Sequence, residues 1–378
     1  MAFLCLETFV NEVSLEYEVL ELPEFHRQLR HPDGGEFRRA SGLIALQAQL
    51  RSMGHVRARY WQLLPGWRRP RFSQHKCYLI PTEVQTQGQT RLALMRALRV
   101  FWRLMLVLQV SLILTGGAVR LTKSGLGCPT WPECVPGSYK PRANQVEGLH
   151  SWIEFGNRLL TFLLLINALV LLGLALKRKF LRTFAIVQIV GLLAQGVLGG
   201  ITVLTHLNPA AVAGHYLLSS VLILLTIIPL RRLTPHIATV RPEIYWLVKV
   251  LFALTALVLI IGTVVTGSGP HAGDPKAPRY PFDALKVAWL HADLVIALTV
   301  ATLMLIVMFK ISKTAIPKSL WWFIGAILLQ GVVGYVQVFN GLPEVLVAIH
   351  LLGSGLVWCA ACYLNTGIKK GRKDSVNF

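Results

Sequence analysis

Residues 195–215 read QGVLGGITVLTHLNPAAVAGH, and residues 330–350 read QGVVGYVQVFNGLPEVLVAIH. Each stretch opens on Gln-Gly-Val and closes on a histidine, His215 or His350, twenty residues on. Without a gap they share Gln195/Gln330, Gly199/Gly334, Val203/Val338, Leu207/Leu342 and Ala213/Ala348. In both, an uncharged apolar run meets a short break bearing Asn and Pro, then a second apolar run begins. That is how two helices joined by a tight turn are spelled.

The rest of the chain says where such helices sit. Its 378 residues are 54% hydrophobic and only 15% charged, with a mean hydropathy of +0.54. Apolar blocks reach bilayer-crossing length at about eight places: 98–118, 150–176, 182–204, 210–230, 245–267, 285–309, 319–339 and 344–365. An all-α polytopic membrane protein is expected, and a soluble enzyme is excluded. The net charge of +20 does not point to nucleic acid, because the basic residues form short clusters between the apolar blocks.

The duplicated stretch covers spans 3 and 4, then spans 7 and 8. An offset of four spans keeps the orientation. The pattern therefore predicts two four-helix halves related by a pseudo-two-fold axis along the membrane normal. Further echoes agree: GGAVRLTKSG after span 1 with GTVVTGSG ending span 5, and EFGNRLL in span 2 with WLHADLV in span 6. The halves are expected at 95–235 and 236–378.

One side receives MRALR, KRKFLR, RRLTPHIATVR, KISKTAIPK and KKGRK. By the positive-inside rule this side is cytoplasmic, with both termini, in a multi-pass cell membrane protein. The loop 119–149 on the other side is an exception, carrying Arg120, Lys123, Lys140 and Arg142. Residues 1–94 are polar, of mixed charge and broken by HPDGG and LPGWRRP. They read as a small cytoplasmic extension, a disordered tail, or residues translated from a misplaced start, since Met95 opens a basic-then-apolar segment suited to an N-terminus. The first residues lack a basic leader, so a cleaved signal peptide is not expected.

Ionisable residues within a bilayer are costly and mark function. Of seven histidines after Met95, six fall toward the outer side: His150, His206, His215, His271, His291 and His350. His215, His291 and His350 each lie about two turns into a span. One reading is a polar residue hydrogen-bonded between helices. The other is axial ligation of heme iron by imidazoles facing each other across a bundle. His291 and His350 supply such a pair in the second half. In the first half His215 matches His350, but Asn157 stands where His291 has its counterpart.

In span 2, His150, Glu154 and Asn157 are spaced to share one helical face. Glu154 is a candidate catalytic carboxylate, or a plain structural partner of Arg158. Asp293 reads as a structural residue that orients His291 or meets a basic side chain. Cys128 and Cys134 in the outer loop read as a disulfide, with a metal site as the rival. Cys359 and Cys362 read as packing.

Taken together, TGGAVRLTKSGLGCPTWPEC, EFGNR, QGVLGGITVLTHLNPAAVAGH, TGSGPHAGD, the His-Ala-Asp of span 6 and QGVVGYVQVFNGLPEVLVAIH resemble the heme A synthase family over residues 98–365. The paired-cysteine loop and EFGNR look most like Gram-positive, particularly actinobacterial, members. The resemblance implies an oxidoreductase that converts the C8 methyl of heme O to a formyl group, giving heme A for cytochrome c oxidase. Oxidation proceeds through an alcohol and a gem-diol that loses water. The resemblance also implies a heme b cofactor in the C-terminal half on His291 and His350. Substrate heme O lies in the N-terminal half, with His215 as ligand and Arg158, Asn157 and His150 nearby, and Glu154 is the catalytic residue.

Many family members have histidine where this sequence has Asn157. The second ligand there is then His150, or the substrate iron is five-coordinate. Arg120 and Lys123 are candidates to meet heme propionates. Implied partners are heme O synthase, the cytochrome c oxidase assembly machinery and membrane lipid, with a homo-oligomer open and nucleic acid excluded. The rivals are a diheme cytochrome b-like electron-transfer protein, which gives Glu154 no role, and a transporter.

Overall fold

The computed structural model describes residues 82–234 and 237–371. Eight helices among them are long and apolar enough to cross a membrane. They are α1 (Thr82–Leu121), α2 (Leu149–Ala175), α3 (Lys179–Leu204), α4 (Pro209–Leu233), α5 (Pro242–Ser268), α6 (Ala284–Ile311), α7 (Lys318–Phe339) and α8 (Glu344–Thr366). The apolar part of α1 starts at Thr90, and helix continues back to Thr82 through polar residues. Residues 1–81, and the expected boundary at Pro235 and His236, lie outside the described residues.

Successive helices run in alternate directions. The loop 122–148 and the links α3–α4, α5–α6 and α7–α8 emerge on one side, here the loop side. On the other side β1 (Ala238–Val240) pairs in parallel with β2 (Ile368–Lys370), in register Ala238↔Ile368 through Val240↔Lys370. This side is termed the clip side. Three-residue strands carry too little periodicity to be read from sequence. The clip ties the entry to α5 to the exit from α8.

Three apolar clusters hold the helices together. One draws on α1 to α4, through Trp102, Met105, Leu164, Leu171, Leu192 and Leu230 among others. A second draws on α5 to α8 and the clip, through Leu251, Leu298, Phe309, Phe323, Ala361 and Ile368. The third lies between them, with Ile113 of α1, Ile223 and Ile227 of α4, Leu259 of α5, and Trp358 and Cys362 of α8. At this seam Trp358 Nε1 donates to the Ser220 carbonyl at 2.6 Å, the Tyr216 and Ser354 hydroxyls lie 2.9 Å apart, and Phe252 stacks on Trp358. The free Cys359 and Cys362 sit in or against this cluster, as packing residues do.

Capping side chains set where two of the histidine-bearing helices begin, and Pro343 precedes the third, α8. Asn208 accepts from the Ala210 N–H ahead of Pro209 at the first turn of α4. Asp283 accepts from the N–H groups of Leu285 and Lys286 and starts α6. With those starts fixed, His215 lies six residues into α4, His291 seven into α6 and His350 six into α8. At 1.5 Å per residue, each sits about 10 Å below its helix start.

Candidate functional site

The three histidines share one local arrangement. A Cβ added to Gly199 would lie 3.3 Å from Cε1 of His215; on Gly262 and Gly334 it would lie 3.2 Å from Cε1 of His291 and His350 respectively. Each imidazole therefore sets its Cε1–Nδ1 edge against a glycine of the preceding helix. Each Nδ1 is buried and makes no hydrogen bond. In the two repeated stretches the main chain is held alike: Gln195 Nε2 donates to the His215 carbonyl at 3.0 Å, and Gln330 Nε2 to the His350 carbonyl at 2.6 Å. Gln195 also donates to Ser219 Oγ. The Gly–His contacts are matched in the two repeated stretches, as Gly199–His215 and Gly334–His350.

Glu154 lies on α2, 6% exposed. Its Oε2 accepts from the Cys128 N–H at 2.8 Å, and its Oε1 pairs with Arg158 at 2.6 Å. Arg158 also donates to the carbonyls of Cys128, Thr130, Pro132 and Glu133 at 3.1–3.5 Å. Cys128 and Cys134 are joined by a disulfide with S–S 2.04 Å. The loop 122–148 is thus bound to α2 through one carboxylate and one guanidinium. It reaches α3 as well, since a Cβ on Gly200 would overlap the Trp131 indole. Gly200 is the neighbour of Gly199, which bears the His215 ring, so the loop covers the region between Glu154 and His215.

The remaining predicted residues separate. Asn157 Oδ1 accepts from Thr115 Oγ1 of α1 at 2.8 Å. His150 is exposed at the start of α2, with Nδ1 2.8 Å from Ser124 Oγ. Asp293 is exposed and does not orient His291; two residues along a helix turn through about 200°, which puts the two side chains on different faces. Arg120 donates to the Thr266 carbonyl at the end of α5 at 2.6 Å, and Gly125 N–H donates to the Gly273 carbonyl, so the loop-side segments of the two halves meet. Sequence reasoning missed Thr115, Gly262, Trp131 and the four carbonyls on Arg158. Each depends on a partner remote in sequence.

Among the described residues, no group of three or more His, Cys, Asp or Glu side chains could hold a bare metal ion. A porphyrin iron needs only one or two axial ligands from the protein. Imidazoles set against glycines inside the helix bundle fit that purpose.

A family model described as cytochrome oxidase assembly protein, COX15-CtaA, matches residues 99–273. The chain is similar to heme A synthases. That of Geobacillus thermodenitrificans is 29% identical over 132 residues, 34% of this chain and 38% of that protein. That of Shewanella oneidensis is 30% identical over 183 residues, 44% of this chain and 54% of that protein. The chain thus spans about half, or less, of the length of these curated relatives. The family model ends at residue 273, ahead of His291 and His350.

Proposed function

We propose that the chain is a heme A synthase, oxidising the C8 methyl of heme O to a formyl group, with heme b as cofactor. The observation that carries the reading is the set of three partly buried imidazoles at one depth, each with its Cε1–Nδ1 edge set against a glycine of the preceding helix. The family model matching residues 99–273 and the similarity to heme A synthases support it. In this reading α1–α4 and α5–α8 are pseudo-two-fold-related halves, and the matched Gln–His contacts of the repeat favour that relation.

His291 and His350 would hold heme b, which supplies a path for electrons leaving the substrate. His215 would hold the iron of heme O, with Glu154 and Arg158 beside it under the loop. Asn157, its Oδ1 already accepting from Thr115, is a poor second ligand. His150, held by Ser124 at the helix start, belongs to the loop wall. The carboxylate of Glu154 would take the proton released as the methyl carbon is oxidised, and the paired Arg158 holds it in place.

The clip side would be cytoplasmic. The product would pass to cytochrome c oxidase assembly, the substrate would come from heme O synthase, and the Gram-positive character of the loop belongs to this same reading.

The test is heme extraction and chromatography from the purified chain, expressed with a heme O supply. Heme b with heme O or heme A is expected. Two equivalents of heme b with no conversion would replace the proposal with a diheme electron-transfer protein, and no heme would overturn both.

A further inference from the structure

Each repeated stretch holds its histidine at two points, the ring and the main chain. On α3, Gly199 meets the edge of the His215 ring, and Gln195, one turn before it, donates from Nε2 to the His215 carbonyl at 3.0 Å. On α7, Gly334 meets the edge of the His350 ring, and Gln330, one turn before it, donates to the His350 carbonyl at 2.6 Å. On α5 the residue one turn before Gly262 is Val258, which has no side-chain donor to offer His291.

These two carbonyls do not need a second donor for satisfaction. Each lies inside a helix, where the N–H four residues on already serves it. What the glutamine adds is register. A ring edge against a glycine leaves one helix free to slide or turn slightly on the other. A hydrogen bond to the main chain of the same histidine, one turn along, removes both freedoms. The amides are themselves held: Gln195 also donates to Ser219 Oγ, and a Cβ on Gly353 would overlap the amide oxygen of Gln330. With Cε1 and Nδ1 against the glycine, Nε2 is the ring nitrogen turned away from it. Its direction then follows from the register of the helix pair.

We propose that Gln195 and Gln330 are positioning residues, which aim Nε2 of His215 and His350 through the main chain of those histidines. The proposal rests on the heme reading above and adds to it the groups that set the two repeated ligands. A ligand kept within about 0.5 Å of its productive place needs supports of this kind. The first half also supplies a control. Gln188, two turns before Gln195 on α3, donates to the Leu222 carbonyl of α4 at 3.0 Å, a bond of the same kind to a residue that is not a histidine.

The experiment replaces each glutamine with methionine, which keeps the length and removes the donor. Purified full chains are compared by the low-spin heme b signal in electron paramagnetic resonance and by the rate at which heme b passes to apomyoglobin. Gln330→Met should shift the signal and speed release about threefold, the loss of one interhelical hydrogen bond in a membrane. Gln188→Met and Gln195→Met should match the parent in both readouts. Gln195→Met should instead weaken uptake of a second heme, at His215, about threefold. Gly353→Ala, which displaces the Gln330 amide, should repeat the Gln330→Met result and stands in for it if that variant does not fold. Parent-like signal and release in Gln330→Met and Gly353→Ala overturn the proposal. An equal shift in Gln188→Met overturns it too, because a general loosening of the helices would then explain the effect. A parent chain that holds no heme b overturns the heme reading itself, and this proposal with it.

Discussion

At the scale of single residues, the glycine beside each imidazole offers a test that leaves the proposed ligands in place. Gly334→Val would drive a side chain into Cε1 of His350, whereas Gly331, with nothing within 4 Å of its added Cβ, tolerates the same change. Overpacking of this kind costs about 1–3 kcal/mol, here against the position of the proposed ligand His350. G334V should lose most of the low-spin heme b absorbance, and G331V should keep it. Equal spectra in both would show that His350 does not hold iron. Glu154→Gln makes a different cut. The amide still accepts from the Cys128 N–H but gives up the charge that pairs with Arg158 and the capacity to take a proton. Heme b should be retained while heme A disappears from chromatograms; undiminished heme A would reduce Glu154 to a loop anchor.

At the scale of elements, Arg158 does more for the loop 122–148 than the sequence suggests. It reads as the partner of Glu154 at the next helical turn, yet it also serves four loop carbonyls. A lysine keeps the charge but loses the planar fork. Arg158→Lys should therefore speed hydrogen exchange in peptides covering 127–134, with little change in α2 itself. A second buried device lies deeper in the first half. Gln109, Gln188 and Thr226 close a hydrogen-bonded ring across α1, α3 and α4, at 2.8–2.9 Å. Gln188→Leu should destabilise the protein by about 1 kcal/mol in detergent unfolding, the scale of interhelical bonds in membranes.

The spans were legible because apolar length alone defines them, and the matched depth of His215 and His350 because the duplication spells it twice. The Thr115–Asn157 bond, the Trp131–Gly200 contact and the two-strand clip were not, because each joins residues whose nearness only the finished fold creates. The upstream part of α1 was missed because polar helix formers carry no hydropathy signal.

At the scale of the whole molecule, the question is which side faces the cytoplasm, since chemistry and disulfide both depend on it. The clip side carries Arg91, Arg96, Arg99, Arg178, Arg182, Arg232, Lys313 and Lys370, and the loop side is basic too, at Arg120, Lys123, Lys140 and Arg142. The structure removes part of that ambiguity. Arg120 is spent on the Thr266 carbonyl, and Arg142 on the Pro136 carbonyl at 2.9 Å, so these cations are engaged within the fold. The clip-side clusters sit in short links beside the helix ends, where charge governs insertion. A disulfide also persists only on the oxidising side of the membrane. A single cysteine placed at Lys140 should therefore react with a membrane-impermeant maleimide in intact cells. One placed at Lys313 should react only after the membrane is opened. The reverse pattern would put the Cys128–Cys134 loop in a reducing compartment and turn the whole arrangement over, histidines and Glu154 included.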